Sequence, residues 1–407
     1  MCGIFLLLNV ERISKTTIEA FQRGKMRGPE KSTICAYDRC IFGFHRLAIN
    51  GLDMENDSQP LNIKGCTLIC NGEIYNSKVL SKYFTKMQTD NDCEIIIHLY
   101  KEYGIEHTLR ILDGVFAFAL LDHESKELYI ARDGYGVRPL FMANWGNYFG
   151  FASVMKMLVH DELPSEEVSI KPVITCFLPG TYMKYSLVRN RWCMNYSKKY
   201  TLKNICTDYS LGYDNALERI RSTLMEAVRK RVALSDRPIA CLLSGGLDSS
   251  LIASLVKRFY GPLETYSIGL KGSTDLTFAK IVADFLGTKH HEIIVTEEEF
   301  LDAIPETIRV IESYDTTSVR ASVGNYLVSK NIANCSDAKV IFNGDGADEV
   351  CGSYMYLNYA PDSLNFDIEC RRLLDDIHMY DVLRSDRSIA SNGLEARTPF
   401  LDKTFVQ

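Results

Sequence analysis

The sequence predicts two domains of mixed α and β structure, the second of them an α/β domain built on a parallel sheet. A chain of 407 residues is long enough for about two or three domains with cores of their own. In its second half, the apolar run 238–243 breaks into small residues and restarts as a helix-like segment at 251–256. A second apolar run, 339–342, likewise ends in glycines and acidic residues, as expected where parallel strands end at one edge of a sheet.

Composition places the chain among ordinary globular proteins. Hydrophobic residues make up 46% and charged residues 24%, so we expect no long disordered tract. The net charge of −6 gives no support for a nucleic-acid or lipid surface. The longest apolar runs, such as 114–121, are far too short to cross a bilayer. We therefore expect neither a nucleic-acid nor a membrane partner.

Cysteine usage indicates a reducing compartment. The 13 cysteines are odd in number and include no C-x-x-C pair; the closest spacings are Cys66/Cys70 and Cys35/Cys40. Neither a disulfide framework nor a zinc site fits this pattern, and the eight histidines form no metal signature. We expect reduced, mostly buried thiols in a cytoplasmic protein.

The first residues contain a candidate nucleophile. The apolar segment 3–8 has no basic residue before it and no small-residue cleavage site after it, so it predicts a buried strand and not a signal peptide. Cys2 precedes this strand, and removal of Met1 would leave it with a free α-amino group. That amine, with a pKa of about 8 against about 8.5 for the thiol, can serve as a local base for its own side chain. Taken alone, Cys2 could equally be a buried structural cysteine.

Several ordered motifs follow Cys2 in the first half of the chain. They are RGPE (27–30), FHRLAI (44–49), CNGEIYN (70–76), NDCE (91–94) and ARDGYGVRPLF (131–141). Together with Cys2 they resemble the class II glutamine amidotransferases, the N-terminal-nucleophile glutaminases, over about residues 2–183. The resemblance implies a four-layer αββα domain, which we expect over residues 2–190.

The resemblance also implies a role for individual residues. The Cys2 thiolate would attack the side-chain amide of glutamine, giving an oxyanion, then a thioester and ammonia, and water would release glutamate. Asn71 and the Gly72 N–H would bind the oxyanion, Arg46 the glutamine carboxylate, and Glu73 and Asp92 its ammonium group. The implied glutamine-binding set is Arg46, Leu47, Ile49, Asn71, Gly72, Glu73 and Asp92. The structural alternatives are a surface ion pair for Arg46, a hairpin turn for Asn71-Gly72 and a helix N-cap for Asp92.

The second half is predicted to alternate helices and strands. The stretch 189–212 is interpreted as the crossing between domains. Apolar residues recur at helical spacing at Leu217, Ile220, Leu224 and Val228. They predict an amphipathic helix that leads up to a glycine-containing loop at 244–250. Beyond the loop we expect a strand at 263–270, a helix at 278–286, a helix exit at His290-His291 before a strand at 293–295, and a helix at 300–311.

The loop Ser244-Gly245-Gly246-Leu247-Asp248-Ser249-Ser250 predicts a phosphate cradle, because backbone N–H groups and hydroxyls meet a helix N-terminus there. It lacks the Gly-Lys-Ser/Thr ending of a Walker A loop and resembles the pyrophosphate loop, SGGxDS, of enzymes that cleave ATP to AMP and pyrophosphate. The predicted ATP-binding residues are Leu243, Ser244, Gly245, Gly246, Leu247, Asp248, Ser249, Ser250, Ile268, Asn343 and Gly344. Asp248 and Asp348 suit Mg²⁺, which prefers a few carboxylates plus phosphate oxygens; a capped helix start is the alternative for Asp348-Glu349.

The pairing of such a glutaminase half with SGGLDSS narrows the resemblance to the glutamine-hydrolysing asparagine synthetases. The segments 314–322, YDTTSVRAS, and 393–402, GLEARTPFLD, support it. The second domain, expected over 212–407, would activate the aspartate side-chain carboxylate as an acyl adenylate, and ammonia travelling inside the protein would displace AMP. By the resemblance, Thr317 and Arg320 would bind aspartate, and Asp345 would orient the acyl adenylate or the ammonia. A homodimer is also implied.

Three departures from that family concern the second half. The family's SGEGSDE is NGDGADE at 343–349, Ser353 replaces a glycine, and the chain ends at Gln407 where relatives continue with a lysine-bearing segment. We therefore expect a synthetase domain that is incomplete at its C-terminus, with L-glutamine, L-aspartate and ATP as partners. Two alternatives stay open: an amidating or lactam-forming relative with another carboxylate acceptor, and a glutaminase-active regulatory protein with an inactive synthetase half.

Overall fold

The computed structural model describes residues 1–159, 173–201 and 211–407. The chain divides into two compact units, Met1–Leu202 and Lys203–Gln407. The strands of the first unit are β1 (Gly3–Leu8), β2 (Lys31–Tyr37), β3 (Cys40–Arg46), β4 (Leu61–Ile63), β5 (Cys66–Ile74), β6 (Gly114–Asp122), β7 (Glu127–Arg132), β8 (Phe141–Asn144), β9 (Phe149–Ala152), β10 (Val173–Cys176), β11 (Thr181–Val188) and β12 (Arg191–Lys199). Its helices are α1 (Lys15–Gln22), α2 (Ser77–Leu80) and α3 (Glu94–Ile111).

Two six-stranded antiparallel sheets form the centre of the first unit. Their strand orders are β10-β8-β9-β1-β3-β2 and β12-β11-β7-β6-β5-β4. Strand β1 is buried along its whole length, which confirms the predicted opening strand. Because side chains alternate between the two faces of a strand, β1 contributes to two cores. Ile4, Leu6 and Leu8 pack between the sheets, whereas Phe5 and Leu7 pack on the outer face of their sheet, against α1.

A third core completes the layers of this unit. It lies on the outer face of the second sheet, where Cys70 of β5 and Phe118 of β6 pack against Ile95, Ile96 and Ile97 around the start of α3. The order is therefore helix, sheet, sheet, helix. This confirms the αββα architecture that the resemblance implied.

The stretch 189–212 contains a strand of the first unit, so its interpretation as a crossing is wrong for its first residues. Strand β12 pairs antiparallel with β11 from Val188 opposite Arg191 onward. Trp192 of β12 is buried, and its indole N–H donates to the Asp38 carbonyl oxygen at 2.7 Å. The rest of β12 is an exposed edge with polar side chains, which is why its sequence resembles a linker. Residues 202–210 lie outside the described part of the chain.

The second unit contains five parallel strands. The elements are α4 (Tyr213–Ala233), β13 (Ile239–Leu242), α5 (Leu247–Tyr260), β14 (Glu264–Leu270), α6 (Thr274–Leu286), β15 (Lys289–Val295), α7 (Glu297–Asp302), α8 (Ile304–Ile311), α9 (Thr316–Cys335), β16 (Val340–Phe342), α10 (Ala347–Cys351), α11 (Ser363–Asp376), α12 (Asp381–Ala390), β17 (Glu395–Arg397) and α13 (Lys403–Val406). The sheet order is β15-β14-β13-β16-β17. Strands β14 and β15 follow β13 on one side of the sheet, and β16 and β17 lie on its other side. The point between β13 and β16 is thus the topological switch where ligands bind in such sheets.

Three local predictions for the second unit need correction. His290 and His291 lie inside β15, where His290 Nδ1 is 3.0 Å from Thr265 Oγ1, so they are not a helix exit. The helix predicted at 300–311 is two helices, α7 and α8, because Pro305 lacks an N–H and begins a new helix. Helix α4 is present, but the first half of its apolar stripe is exposed: Leu217 is 47% and Ile220 52% accessible.

Two further findings concern the described residues as a whole. Every cysteine among them is a free thiol. In that same part of the chain, no helix has both the length and the apolar character that crossing a bilayer requires.

Candidate active sites

The first candidate site is a cavity beside Cys2, lined by residues of β3 and β5 and of nearby loops. Residue Gly3 pairs with His45, which places Cys2 next to the end of β3, and the Cys2 thiol lies 3.5 Å from the Leu47 carbonyl oxygen. The predicted residues that line the cavity are Cys2, Arg46, Leu47, Ile49, Gly72, Glu73 and Asp92. The structure therefore brings together residues that are up to 90 positions apart in the sequence.

Asn71 is the most unusual side chain near this cavity. It is 0% exposed, and neither its Nδ2 nor its Oδ1 atom has a hydrogen-bond partner among the described residues. Leaving a buried polar group unpaired costs about 1–3 kcal/mol, so an amide held this way is suited to a ligand. Asn71 and Gly72 lie inside β5, which rules out the hairpin-turn alternative. A Cβ on Gly72 would lie 2.6 Å from the Val115 carbonyl oxygen, so the pairing with β6 requires glycine here.

Arg46 is buried and holds the loop that follows it. Its guanidinium donates to the carbonyl oxygen of Asp53 at 2.7 Å and to that of Gly51. The alternative of a surface ion pair is therefore wrong. Because the side chain also lines the cavity, it can present charge to a ligand while it fixes the cavity wall.

The two acidic residues of the cavity are also held by hydrogen bonds. Glu73 accepts from the Asn50 side-chain amide, and Asp92 Oδ2 accepts from the Ile74 N–H at 2.6 Å. Helix α3 begins at Glu94 with Cys93 as its N-cap, so Asp92 does not cap it. Both carboxylates are thus fixed in place before any ligand binds.

Sequence reasoning missed five polar or thiol residues that line the same cavity: Asn50, Gln59, Cys70, Asn91 and Cys93. The Gln59 side-chain carbonyl accepts from the Cys70 N–H at 2.5 Å, which ties the loop before β4 to β5. Asn91 lies next to Asp92 in the same motif and could have been found. Cys70, Cys93 and Asn50 likewise adjoin predicted residues, whereas Gln59 reaches the cavity through a tertiary contact that no spacing predicts.

The motif 131–141 builds a turn and does not line the cavity. The Arg132 guanidinium donates to the carbonyl oxygens of Gly136, Arg138 and Phe177 at 2.6–2.7 Å. The Asp133 carboxylate accepts from the backbone N–H of Arg138 at 2.9 Å. Charged side chains that satisfy buried backbone groups in this way stabilise an irregular segment.

The second candidate site is a cavity between the loops that follow β13 and β16, at the topological switch point. The predicted residues that line it are Ser244, Gly246, Asp248, Ser249, Asn343, Gly344, Asp345 and Asp348. Within the first loop, the hydroxyls of Ser244 and Ser249 are 2.9 Å apart, and the Gly246 N–H is 3.3 Å from Ser244 Oγ. The loop is therefore preformed around its own hydroxyl groups.

Gly245 shows why this loop requires glycine. Its φ is +81°, and an added Cβ would lie 2.5 Å from the Ala279 N atom of α6. Both the left-handed backbone and the close approach of a neighbouring helix exclude a side chain. The second glycine of the motif, Gly246, is the N-cap of α5 and faces the cavity.

The remaining predicted ATP-binding residues do not line the cavity. They are Leu243, Gly245, Leu247, Ser250 and Ile268. Leu243 is buried, and its N–H donates to the Tyr266 carbonyl oxygen at 2.8 Å. Leu247 is 81% exposed.

Thr317 and Arg320, the predicted aspartate-binding residues, are exposed in the first turn of α9 and do not line the cavity either. The residue of α9 that does line it is Asn325. Asn325 lies eight residues after Thr317, about 12 Å along the helix axis. Asp315 caps α9 by accepting from the Ser318 N–H at 2.8 Å.

Asp248 and Asp348, the predicted magnesium ligands, face each other across the cavity. Burial and the Asp348 charge raise the pKa of Asp248. The Ser353 hydroxyl donates to Asp348. Among the described residues, no cluster of three or more acidic, histidine or cysteine ligands could hold a metal on its own. Two carboxylates without a third protein ligand fit a cation that takes its other ligands from phosphate and water.

Sequence reasoning also missed acidic and basic residues of this cavity: Glu349, Asp381 and Arg384. The Arg384 guanidinium is 2.7 Å from Asp345 Oδ1 and 2.6 Å from Asp381 Oδ1. Burial and the neighbouring Asp381 raise the pKa of Glu349 to about 8. Asp381 and Arg384 belong to α12, and nothing in their local sequence marks them as site residues.

The segment 393–402 is structural in this unit. Asp402 is buried and forms ion pairs with Arg231 at 2.5 Å and Lys230 at 2.6 Å, both on α4. Although burial opposes ionisation, these two cations lower the pKa of Asp402. The segment therefore ties the end of the sheet to α4.

Comparison with known proteins identifies both halves. Residues 1–190 match the family described as glutamine amidotransferase domain, and residues 219–368 and 360–407 match the family described as asparagine synthase. A solved structure of glutamine phosphoribosylpyrophosphate amidotransferase from B. subtilis is 15% identical, covering 72% of this chain and 81% of that chain with a TM-score of 0.40. A likeness so remote supports no statement about function.

Similarity to whole proteins is much closer. The chain is 41% identical to the glutamine-hydrolysing asparagine synthetase of Mesocricetus auratus, 40% to that of Homo sapiens and 39% to that of Gallus gallus. Each alignment covers 100% of this chain and 76% of the relative. The chain belongs to the family of glutamine-hydrolysing asparagine synthetases, which are ATP-dependent ligases.

Proposed function

We propose that this chain makes L-asparagine from L-aspartate, using ammonia from L-glutamine and cleaving ATP to AMP and pyrophosphate. The proposal rests on the residues that line the two cavities. One is lined by Cys2 and by Gly72, which follows Asn71, whose buried amide has no hydrogen-bond partner among the described residues; the other is lined by the SGGLDSS loop and Asp345. Glutamine hydrolysis requires the first set of groups and carboxylate activation by ATP the second.

In the first unit, the Cys2 thiolate attacks the glutamine side-chain carbonyl. The oxyanion that forms is stabilised by the Asn71 Nδ2 and the Gly72 N–H, since donors that need no rearrangement lower the barrier most. The C–N bond then breaks, ammonia leaves with a proton, and water hydrolyses the thioester to glutamate. Arg46 attracts the glutamine α-carboxylate, and Glu73 and Asp92 attract its ammonium group.

In the second unit, an oxygen of the aspartate side-chain carboxylate attacks the α-phosphorus of ATP, and pyrophosphate leaves. Ammonia then attacks the acyl carbon, loses a proton, and AMP leaves with the electron pair of the broken C–O bond. The loop hydroxyls of Ser244 and Ser249 and the Gly246 N–H bind the phosphates. Asp345 orients the acyl adenylate or the ammonia, and Thr317 and Arg320 bind aspartate, which requires their part of α9 to approach the cavity.

Mg²⁺ fits the pair Asp248 and Asp348. Burial and the Asp348 charge raise the pKa of Asp248, and a divalent cation between the two acids would favour its ionised form. When bound, the ion neutralises charge on the pyrophosphate that leaves. The two carboxylates hold it against the loop.

A paired assay with aspartate, ATP and magnesium tests the proposal. Either glutamine or free ammonia is supplied, and glutamate, asparagine and pyrophosphate are followed. We expect asparagine from both nitrogen sources, with Cys2→Ala losing only the reaction that uses glutamine. Pyrophosphate release that requires a carboxylate other than aspartate would instead indicate an amidating or lactam-forming relative. Glutamate without any pyrophosphate would refute the synthetase half of the proposal and leave a glutaminase.

A further inference from the structure

The Asp345 carboxylate is held from two sides by neighbouring side chains. Asn343 Nδ2 donates to Oδ2 at 2.7 Å, and Arg384 Nη2 donates to Oδ1 at 2.7 Å. Ser385, the residue after Arg384 on α12, acts on this carboxylate through Asn343, because its hydroxyl accepts from the same Asn343 amide at 2.6 Å. Both oxygens therefore have donors, and the direction of the carboxylate is fixed before any substrate enters.

The side-chain amide of Asn343 is fully used in this arrangement. An amide nitrogen carries two hydrogens, and here they go to Asp345 Oδ2 at 2.7 Å and to Ser385 Oγ at 2.6 Å. The amide oxygen lies 3.4 Å from the Asp345 N–H. Asn343 is buried, so none of these bonds is exchanged for water. A serine hydroxyl has a single hydrogen and cannot donate to both partners.

The side chains of Asn343 and Asp345 have complementary lengths. An aspartate carboxylate lies about one methylene closer to the backbone than that of glutamate, and the asparagine amide reaches farther than a serine hydroxyl. At the end of β16 the longer residue is at 343 and the shorter acid at 345. In the family motif that the sequence resembles, Ser-Gly-Glu, the lengths would be reversed.

We propose that Asn343 is a positioning residue of the second site, which together with Ser385 fixes the carboxylate of Asp345 in its working direction. Asn343 and Asp345 are thus a matched pair, and each is unfavourable without the other. This inference rests on the role of Asp345 in the proposed function. It assigns Asn343 an indirect role, because both of its amide hydrogens go to Asp345 and Ser385 and neither is left for a substrate.

A double-mutant cycle tests the pairing. The variants are Asn343→Ser, Asp345→Glu and the double variant, assayed for pyrophosphate release with aspartate and free ammonia so that glutamine hydrolysis is not involved. Loss of one charge-assisted hydrogen bond corresponds to roughly ten- to a hundredfold in rate, and we expect each single variant to lose that much in kcat. The KM for ATP should stay within about threefold, since the loop contacts are untouched. The double variant should recover at least about tenfold over the product of the single effects.

A pair of serines on one helix provides the matched control. Ser385 and Ser388 are both buried on α12, but the Ser388 hydroxyl donates to the Arg384 carbonyl oxygen of its own helix. We expect Ser385→Ala to lower kcat like Asn343→Ser, and Ser388→Ala to leave it unchanged. Additive effects in the cycle, or equal kcat values for the two serine variants, would overturn the proposal.

A readout without turnover separates this inference from the proposed function. If wild-type protein releases no pyrophosphate with aspartate, the proposed function fails, whatever the variants do. The amide hydrogens of Asn343, identified in the NMR spectrum by their loss in Asn343→Ser, then test the contact itself. Slow exchange with solvent that becomes fast in Ser385→Ala supports the positioning contact, and fast exchange in wild-type protein contradicts it.

Discussion

Replacement of Asn71 by alanine should separate catalysis from stability in the first unit. The side chain is buried, yet its amide has no partner among the described residues, so folding loses no hydrogen bond when it is removed. The unpaired amide already costs about 1–3 kcal/mol, which offsets the packing lost with the side chain. We expect the free energy of unfolding to change by less than about 1 kcal/mol. The kcat for glutamine hydrolysis should fall about 10²- to 10³-fold, the usual effect of losing one oxyanion donor.

Asn9 provides the matched control, because it is an equally buried asparagine with every bond made. Its Nδ2 donates to the carbonyl oxygens of Asn147 at 2.7 Å and Trp192 at 3.0 Å, and its Oδ1 accepts from the Trp192 N–H at 2.7 Å. Three hydrogen bonds at about 0.5–1.5 kcal/mol each predict a loss of about 1.5–4.5 kcal/mol in Asn9→Ala. Its kcat should not change.

Two measurements on both variants separate the catalytic from the structural effect. They are glutamate release as a function of glutamine concentration, and unfolding in urea followed by circular dichroism. The KM for glutamine should change little in Asn71→Ala, since the donor acts on the oxyanion and not on the bound amide. The oxyanion role of Asn71 is wrong if Asn71→Ala keeps more than about a third of the wild-type kcat, given the size of such effects. An unfolding loss as large as that of Asn9→Ala would mean that the Asn71 amide has a structural partner.

Three further perturbations follow from the geometry. Asp402→Asn removes the partner of buried Arg231, so urea unfolding of the second unit should show a loss of about 3–5 kcal/mol. Because the folded-state pKa of Asp402 is lowered, its stabilisation is complete above about pH 4 and is lost as the pH falls through the folded value, a dependence that Asp402→Asn should abolish. Gly245→Ala should destabilise the second unit and abolish pyrophosphate release, whereas Gly287→Ala, in the left-handed α region but with nothing within 4 Å of its Cβ, should cost only about 1–2 kcal/mol. Burial lowers the pKa of His45 from 6.5 to about 4, so thermal unfolding should show stability falling from pH 6.5 to pH 4, and His45→Gln should flatten that dependence.

The parts of the fold that were predictable from the sequence are those encoded by short stretches of chain. Strand β13, the SGGLDSS loop and helix α5 follow one another within 22 residues, and each is marked by its own residue types. Strand β16 and its acidic loop repeat the same signal. The rule that ligands bind where parallel strands end then predicts that the two loops meet, and they share a cavity.

The parts that were not predictable depend on distant pairing. Arg384 is on α12, 39 residues after Asp345, and only the packed structure brings its guanidinium to that carboxylate. Strand β12 was mistaken for a linker because one of its nine residues is buried, which leaves no alternation of polar and apolar residues to detect. His290 and His291 were placed at a helix exit because polar aromatic residues carry little strand signal on their own.

The polar side chains of the two sites differ in how many hydrogen-bond partners the protein gives them. The difference indicates which of them suit a charged ligand. In the first unit, a neutral donor, Asn71, is buried without a hydrogen-bond partner among the described residues, and in the proposed mechanism its partner is the oxyanion that forms during the reaction. In the second unit, each oxygen of the Asp345 carboxylate already accepts one hydrogen bond, from Asn343 and from Arg384, so the carboxylate is held in place while lone pairs remain for a ligand. Asp248 instead faces a like charge at Asp348, and burial makes that repulsion worse. The buried Asn71 amide therefore suits negative charge supplied by a ligand, whereas the acids Asp248 and Asp348 suit positive charge.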